Sequence, residues 1–157
     1  MTSPTPQHAK ADRGSTAVQD YVLEQQVGHL LRRAHQRHAA LFVERIGAAA
    51  LTPMQWAALV SLVRHGPTTQ NRLGRLAAMD PATTQGVVRR LVARGLVVRS
   101  ADPADRRTKL LAATQAGEAL VAATLPIARA ISDATLAPLN EAERRIFLKL
   151  LTRMAFA

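Results

Sequence analysis

The chain has 157 residues and a formal net charge of +10; 48% of its residues are hydrophobic but only 3% are aromatic. This length predicts one compact domain or one subunit of an obligate oligomer, with a core of aliphatic side chains. The lack of cysteine excludes disulfides and thiolate metal sites and fits a cytoplasmic protein, and no apolar run approaches the ~20 residues that cross a membrane.

The N-terminal part of the chain predicts a polar leader followed by one long helix. Residues 1–16 are rich in Ser, Thr and Pro and lack the apolar stretch of a signal peptide, so we expect a disordered leader there. A helix is then predicted from Gln19 to Gly47, because apolar residues recur at spacings of three and four positions. These residues are Val27, Leu30, Leu31, Ala34, Leu41, Phe42 and Ile46.

Three further helices have clear start signals. Thr52, Pro53 and Gln55 match a capping box with proline in the first turn, and predict a second helix that ends at about residue 64. Residues 68–69 predict the start of a short third helix that ends near residue 79. Asp80 followed by proline predicts a fourth helix, which runs to residue 94 and stops at Gly95 in a left-handed conformation. Its expected inward row is Thr84, Val87, Val88 and Leu91.

A hairpin and two more helices complete the order of elements. Residues 96–99 read as a strand, residues 101–105 as a turn and residues 109–113 as the returning strand. Thr114 is the expected cap of a fifth helix that reaches about Leu136, and a capping box at residues 140–143 starts the last helix. We therefore predict a mainly α fold with a small β-hairpin wing, that is, a winged helix-turn-helix with additional helices.

The positive charge is concentrated in the middle of the chain. Residues 53–113 carry ten arginines or lysines against three aspartates, whereas the flanking segments are nearly balanced. Such a segment suggests a polyanionic partner, although a solvated basic surface would give the same composition.

The outward side of the fourth helix has the side chains that a DNA recognition helix needs. Gln85 can pair with an adenine edge, and Thr83 can reach a base or a phosphate. Gly86 allows a close approach to the groove floor, and Arg89 and Arg90 can reach phosphates or a guanine. The alternative is an ordinary solvated helix face, which the wing and the local charge make less attractive.

The third helix and the wing supply further candidates. Gln70, Asn71 and Arg72 lie at a helix start whose free N–H groups favour a phosphate, and simple capping is compatible with that role. In the wing, we expect Asp102 or Asp105 to hold one arginine in place while the other enters the minor groove. The two wing arginines are Arg106 and Arg107. The alternative is a surface ion pair of little energetic value.

The first helix carries a possible effector site. His29, Arg32, Arg33 and Gln36 can supply donors to a carboxylate, and Met54 and Trp56 of the second helix can supply an apolar floor. The alternatives are a solvated helix face and a core position for Trp56. The histidines lack a third metal ligand nearby in sequence, and no catalytic motif is present, so we expect no enzyme, no metal site and no cofactor.

Four segments in this order resemble the multiple-antibiotic-resistance regulator (MarR) family. They are LTPMQW at 51–56, LGRL at 73–76, VRRLVARGLV at 88–97 and DPADRR at 102–107. The resemblance implies an obligate homodimer on duplex DNA, a supporting Asp–Arg pair in the wing, and regulation by a small ligand such as an aromatic acid. It also implies a dimerisation region at 17–50 and 114–157 and a winged helix-turn-helix lobe at 51–113.

A finer resemblance points to one branch of that family. GHLLRRAHQRH at 28–38 and QNRLGRL at 70–76 are similar to the repressors of nicotinate degradation, whose effector is 6-hydroxynicotinate. The resemblance implies a cytoplasmic, nucleoid-associated repressor of a pseudo-palindromic operator. The rival interpretation, from another class, is a non-specific architectural DNA-binding or protein-interaction module.

Overall fold

The computed structural model describes residues 20–105 and 107–157, so the predicted leader and Arg106 lie outside the described residues. The described part is mostly helical, as predicted, and none of its helices is long and apolar enough to span a membrane. The helices are α1 Val27–Ile46, α2 Pro53–His65, α3 Gln70–Leu76, α4 Pro81–Ala93, α5 Gln115–Thr135 and α6 Glu141–Ala155. The strands are β1 Thr68–Thr69, β2 Val97–Ala101 and β3 Lys109–Ala113.

Helix α1 begins later than the sequence pattern predicts. Residues 23–25 form a separate 3-10 turn, and Gln26 is extended with φ −78° and ψ 133°, which interrupts the helix before Val27. The Gln26 side chain donates to the Val22 carbonyl at 3.1 Å and so satisfies that backbone group locally. The prediction of continuous helix through residues 20–26 is therefore wrong.

The sheet has one more strand than the predicted hairpin. β1 pairs antiparallel with β3, with Thr68 opposite Leu111, so the strand order is β1-β3-β2. The two β-branched threonines suit a strand, and they cover the edge of β3 that β2 leaves open. The expectation that both threonines belong to the third helix is corrected: Thr69 is its N-cap, and its hydroxyl accepts from the Arg72 N–H at 3.3 Å.

The chain divides into two compact units between Gln36 and Arg37, and the larger unit contains two buried clusters. The first cluster joins α2, α3, α4, the sheet and α5, and its fully buried members include Leu59, Leu73 and Leu91. The second cluster consists of Phe42, Ile46 and Ile131 from α1 and α5. Ala49 and Trp56 pack against both clusters, so these two residues connect the lobe to the α1–α5 helix pair.

The start of α5 packs directly on the residues that follow α4. The Thr114 hydroxyl caps α5 by accepting from the Gly117 N–H at 3.1 Å, and it donates to the Gly95 carbonyl at 2.7 Å. A Cβ on residue 117 would overlap the Leu96 carbonyl oxygen and lie 3.2 Å from Leu59 Cδ1. A glycine is therefore required here by the close approach of two backbones.

We predict that Gly117→Ala lowers the free energy of unfolding by about 1–3 kcal/mol, because the methyl group overpacks against backbone that has no room to move. Urea unfolding at fixed protomer concentration measures the change. Gly28→Ala is the control, since no heavy atom lies within 4 Å of its added Cβ. Equal stability of the two variants would show that the α5 contact with Leu96 is looser than described.

Candidate nucleic-acid interface

The N-terminus of α4 is held by a capping aspartate. Asp80 Oδ1 accepts from the Thr83 N–H at 2.9 Å, and Oδ2 accepts from the Thr83 hydroxyl. These hydrogen bonds from Thr83 hold the pKa of the Asp80 carboxyl below its ordinary value. The stabilisation from this cap is therefore fully present when the pH is above the ordinary aspartate pKa, and it is lost as the pH falls through the lowered pKa. The Thr83 hydroxyl proton is engaged within the helix, which leaves its oxygen lone pairs for an outside donor.

Helix α4 separates a buried row from an exposed row, as the sequence pattern predicts. The four expected inward residues, Thr84, Val87, Val88 and Leu91, are all buried. On the opposite side, Gln85, Arg89 and Arg90 are exposed, and Thr83 and Gly86 are half-buried. The exposed row is therefore free to meet a partner while the buried row holds the helix on the lobe.

Two glycines near this helix have different reasons to be glycine. A Cβ on Gly74 of α3 would lie 2.8 Å from Thr84 Oγ1 and 3.1 Å from the Met79 carbonyl oxygen, so α3 and α4 require a glycine to cross. A Cβ on Gly86 would meet only Arg90 Nη2, at 3.6 Å. A mid-helix glycine costs helix stability, and packing among the described residues gives Gly86 no compensation.

The candidates on α3 stand beside the start of α4. Gln70 and Asn71 help to line a cleft of about 310 Å³ between the two helices, and Arg72 is exposed. Arg75, which was not among the sequence candidates, also lines this cleft. Its position four residues after Asn71, and therefore on the same side of the helix, is the signal that would have identified it.

The wing aspartates shape the turn through backbone contacts. Asp102 Oδ1 accepts from the Ala104 N–H at 2.9 Å, and Asp105 Oδ1 accepts from the Arg107 N–H at 3.0 Å. Asp105 Oδ2 also accepts from the Thr108 hydroxyl at 3.0 Å. Arg107 is exposed at the tip. The expected aspartate–arginine side-chain pair stays a prediction, because Arg106 lies outside the described residues.

The four effector candidates of α1 lie on one face of the helix. His29 lies three and four residues before the adjacent Arg32 and Arg33, and Gln36 lies four and three residues after them; of the four, only His29 is half-buried. Of the other α1 histidines, His35 is exposed, and half-buried His38 places Nδ1 3.0 Å from Thr135 Oγ1. Within residues 20–105 and 107–157, no three acidic or histidine side chains cluster as metal ligands would.

Met54 and Trp56 do not share one face of α2. Met54 is 51% exposed, whereas the Trp56 indole N–H donates to Thr124 Oγ1 at 3.1 Å. The Trp56 ring also meets Phe42 edge-to-face, with centroids 6.3 Å apart. Of the two roles considered for Trp56, these contacts favour the core position.

Known proteins resemble the chain over most of its length. The sequence pattern of the MarR family matches residues 51–108. The HTH-type transcriptional repressor NicR of Pseudomonas putida is 45% identical over 134 residues, which cover 85% of each chain. A probable transcriptional regulator from Pseudomonas aeruginosa superposes with a TM-score of 0.82 at 52% identity, over 85% of this chain and 99% of the other.

A second solved structure concerns a ligand-regulated protein. BpsR of Bordetella bronchiseptica, whose DNA binding is regulated by 6-hydroxynicotinic acid, superposes with a TM-score of 0.83 at 43% identity, over 87% of this chain and 98% of that one. These relatives confirm the predicted winged-helix fold and the expectation of a regulator in place of an enzyme. The chain belongs to the MarR family of winged helix-turn-helix transcriptional regulators.

Proposed function

We propose that the protein is a ligand-responsive repressor that binds a pseudo-palindromic operator as a homodimer in the cytoplasm, associated with the nucleoid. The observation that carries the proposal is the division of α4 into a fully buried row and an exposed row of hydrogen-bonding and basic side chains. Rigid backing and an exposed polar face are what a recognition helix needs in a major groove. The 45% identity to NicR supports the repressor role.

In this proposal each candidate has a separate task. Gln85 reads a base edge, and Thr83 offers its lone pairs to a base donor. Because the Asp80 carboxylate repels phosphate, Thr83 faces a base in preference to the backbone. The remaining candidates bind phosphate or the minor groove and set the register of the protein on the duplex. They are Arg89 and Arg90 of α4, Gln70, Asn71 and Arg72 of α3, and Arg106 and Arg107 of the wing.

The exposed apolar side chains of α6 support the homodimer. None of its residues is buried within a single chain, and the large apolar side chains of Ile146, Leu150 and Met154 are 59%, 47% and 58% exposed. The same helix also carries charged residues. An amphipathic helix is stable when its apolar side is covered. We propose that a second copy covers it, with residues 17–50 and 114–157 as the dimerisation region and residues 51–113 as the DNA-binding lobe.

We propose a small aromatic carboxylate, 6-hydroxynicotinate or a close analogue, as the effector, and genes of nicotinate-like acid catabolism as the target. The similarity to BpsR supports this ligand class. On this chain, His29, Arg32, Arg33 and Gln36 form a face with two guanidinium groups, which suits a carboxylate. Met54 and Trp56 remain ligand candidates from the sequence alone, and the Trp56 N–H is engaged by Thr124.

The operator experiment separates a repressor from a non-specific architectural module. Duplexes selected by the full-length protein from random sequence should carry two inverted half-sites about one DNA turn (~34 Å) apart. They should bind ~10³-fold or more tightly than unselected duplex, because base contacts add to the phosphate contacts. Gel shift or anisotropy at a stated salt concentration measures both affinities. Equal affinity for the two duplexes would favour the architectural module.

We predict that Gly86→Ala weakens operator binding about tenfold, which corresponds to ~1.4 kcal/mol, while the fold becomes more stable by up to ~1 kcal/mol. The added methyl has room within the protein but stands where the helix approaches the groove. Thermal unfolding and operator titration measure the two effects.

The matched variant Gly74→Ala should show the opposite balance. Its methyl collides with Thr84 and Met79, so the fold should lose about 1–3 kcal/mol of stability. If Gly86→Ala binds operator as tightly as the wild type, α4 does not approach the DNA through this residue.

We predict that 6-hydroxynicotinate, nicotinate, salicylate or 4-hydroxybenzoate binds the protein with a micromolar Kd and releases the operator. Arg33→Ala and His29→Ala should weaken that binding, because each removes a donor to the carboxylate. Arg45→Ala is the control on the same helix, since the Arg45 guanidinium donates to the Ala130 carbonyl at 3.2 Å. Calorimetry and operator titration give the two readouts. No heat from any of the four acids would defeat the effector proposal and leave the DNA-binding proposal intact.

A further inference from the structure

One arginine ties the end of α4 to the segment that follows α1. Arg94 Nη1 donates to the Ala50 carbonyl and Nη2 donates to the Ala49 carbonyl, both at 2.8 Å. The two acceptors are consecutive along the chain, and the planar guanidinium fork matches a pair of parallel acceptors. Arg94 lies 44 residues or more from both partners, so this is a long-range contact.

The segment that receives these hydrogen bonds needs an outside partner. A 3-10 turn over residues 47–49 follows α1, and Ala50 after it is left-handed, with φ 46° and ψ 41°. The left-handed conformation is unfavourable for alanine, and carbonyls at a helix end lack partners within the helix. Arg94 supplies two donors at this point and so stabilises the turn between α1 and α2.

The same end of α4 is also fixed to α5. Gly95 is left-handed with φ 68°, and the Leu96 N–H donates to the Leu91 carbonyl at 3.0 Å. With the Gly95 N–H donating to the Val92 carbonyl at 2.9 Å, this is a Schellman motif. The Gly95 carbonyl accepts from the Thr114 hydroxyl at the start of α5. The end of α4 therefore joins both helices of the second buried cluster.

We propose that Arg94 is a positioning residue for operator recognition, an inference that rests on the proposed function. Its guanidinium fixes the angle of α4 relative to the end of α1, and that angle sets the distance between the two recognition helices of a dimer. Arg94 thereby controls how strictly the protein requires one half-site spacing. It acts through Ala49 and Ala50 and makes no contact with DNA.

Substitution by lysine distinguishes this role from a phosphate contact. An ammonium group keeps the positive charge but lacks the rigid planar fork that reaches two carbonyls in parallel. A phosphate contact would survive Arg94→Lys in large part. The positioning role would be lost in Arg94→Lys nearly as fully as in Arg94→Ala.

The experiment uses the full-length protein and a duplex that the wild type selects from random sequence. In two further duplexes, the spacing between the half-sites is one base pair shorter or one base pair longer. We expect Arg94→Ala and Arg94→Lys each to reduce the preference for the correct spacing about tenfold. Affinity for random duplex and the slope of log affinity against log salt should stay at wild-type values, because no phosphate contact is lost.

Arg64→Ala is the matched control, since Arg64 is another exposed arginine in the last turn of a neighbouring helix of the lobe. It removes the same charge and should keep the wild-type spacing preference. Full preference in Arg94→Lys, or a salt slope lowered by about 0.9 in Arg94→Ala, would assign Arg94 to a phosphate and overturn the inference.

A second readout needs no DNA and keeps the two proposals separable. Trp56 is the only tryptophan and packs, with Ala49, against both buried clusters. Acrylamide quenching of its fluorescence should increase in Arg94→Ala and Arg94→Lys and stay unchanged in Arg64→Ala. Unchanged quenching in all three would show that Arg94 does not hold this turn. Failure of the wild type to select any duplex would instead refute the proposed function.

Discussion

The left-handed end of α4 at Gly95 is the constraint on which the arrangement of the lobe depends. Strand β2 begins two residues later, at Val97, so the same reversal starts the wing. The Leu96 carbonyl accepts from the Thr114 N–H at 3.0 Å and lies against Gly117, which fixes α5. Glycine adopts φ 68° without the steric cost that a Cβ would add. One local conformation therefore orients the recognition helix, the wing and α5 together, and a change in any of them reaches the others.

The elements that the sequence predicted well are those specified by local chemistry. Thr52 with Gln55, and Asn140 with Glu143, form the predicted capping boxes, since both partners lie within four residues of each other. Strand β1 was missed because a two-residue strand has no periodicity, and Thr68 becomes a strand only when β3 lies beside it. The late start of α1 was missed for a related reason: the helical spacing of apolar residues continues back to Leu23, although the backbone at Gln26 is extended and ends the helix there.

In the candidate DNA interface, too, the features that depend on local sequence were predicted and those that depend on particular partners were not. The exposed side of α4 followed from helical periodicity, because the buried row leaves one direction for Gln85 and Arg89. The backbone contacts of Asp105 did not follow, since a carboxylate in a turn can accept from a side chain or from a backbone N–H with equal chemical justification. Arg94 resembled an ordinary basic residue at a helix C-terminus. Its partners are two backbone carbonyls, and because every residue has one, the sequence does not indicate which carbonyls Arg94 binds.

The two buried clusters indicate how a small ligand can affect a distant helix. Because the partly buried Trp56 and Ala49 pack against both, the lobe cannot turn against the α1–α5 pair without disturbing their packing. Such an interface favours a few discrete angles over continuous bending. A ligand then needs only to bind one angle more tightly than another, and reversing the populations from 1:99 to 99:1 takes about 5.5 kcal/mol of differential affinity. A hydrogen bond at the joint, such as that from Trp56 to Thr124, contributes to this preference if it is lost at the other angle. Weakening the joint should therefore make a regulator of this kind less selective for its operator before it makes it less stable.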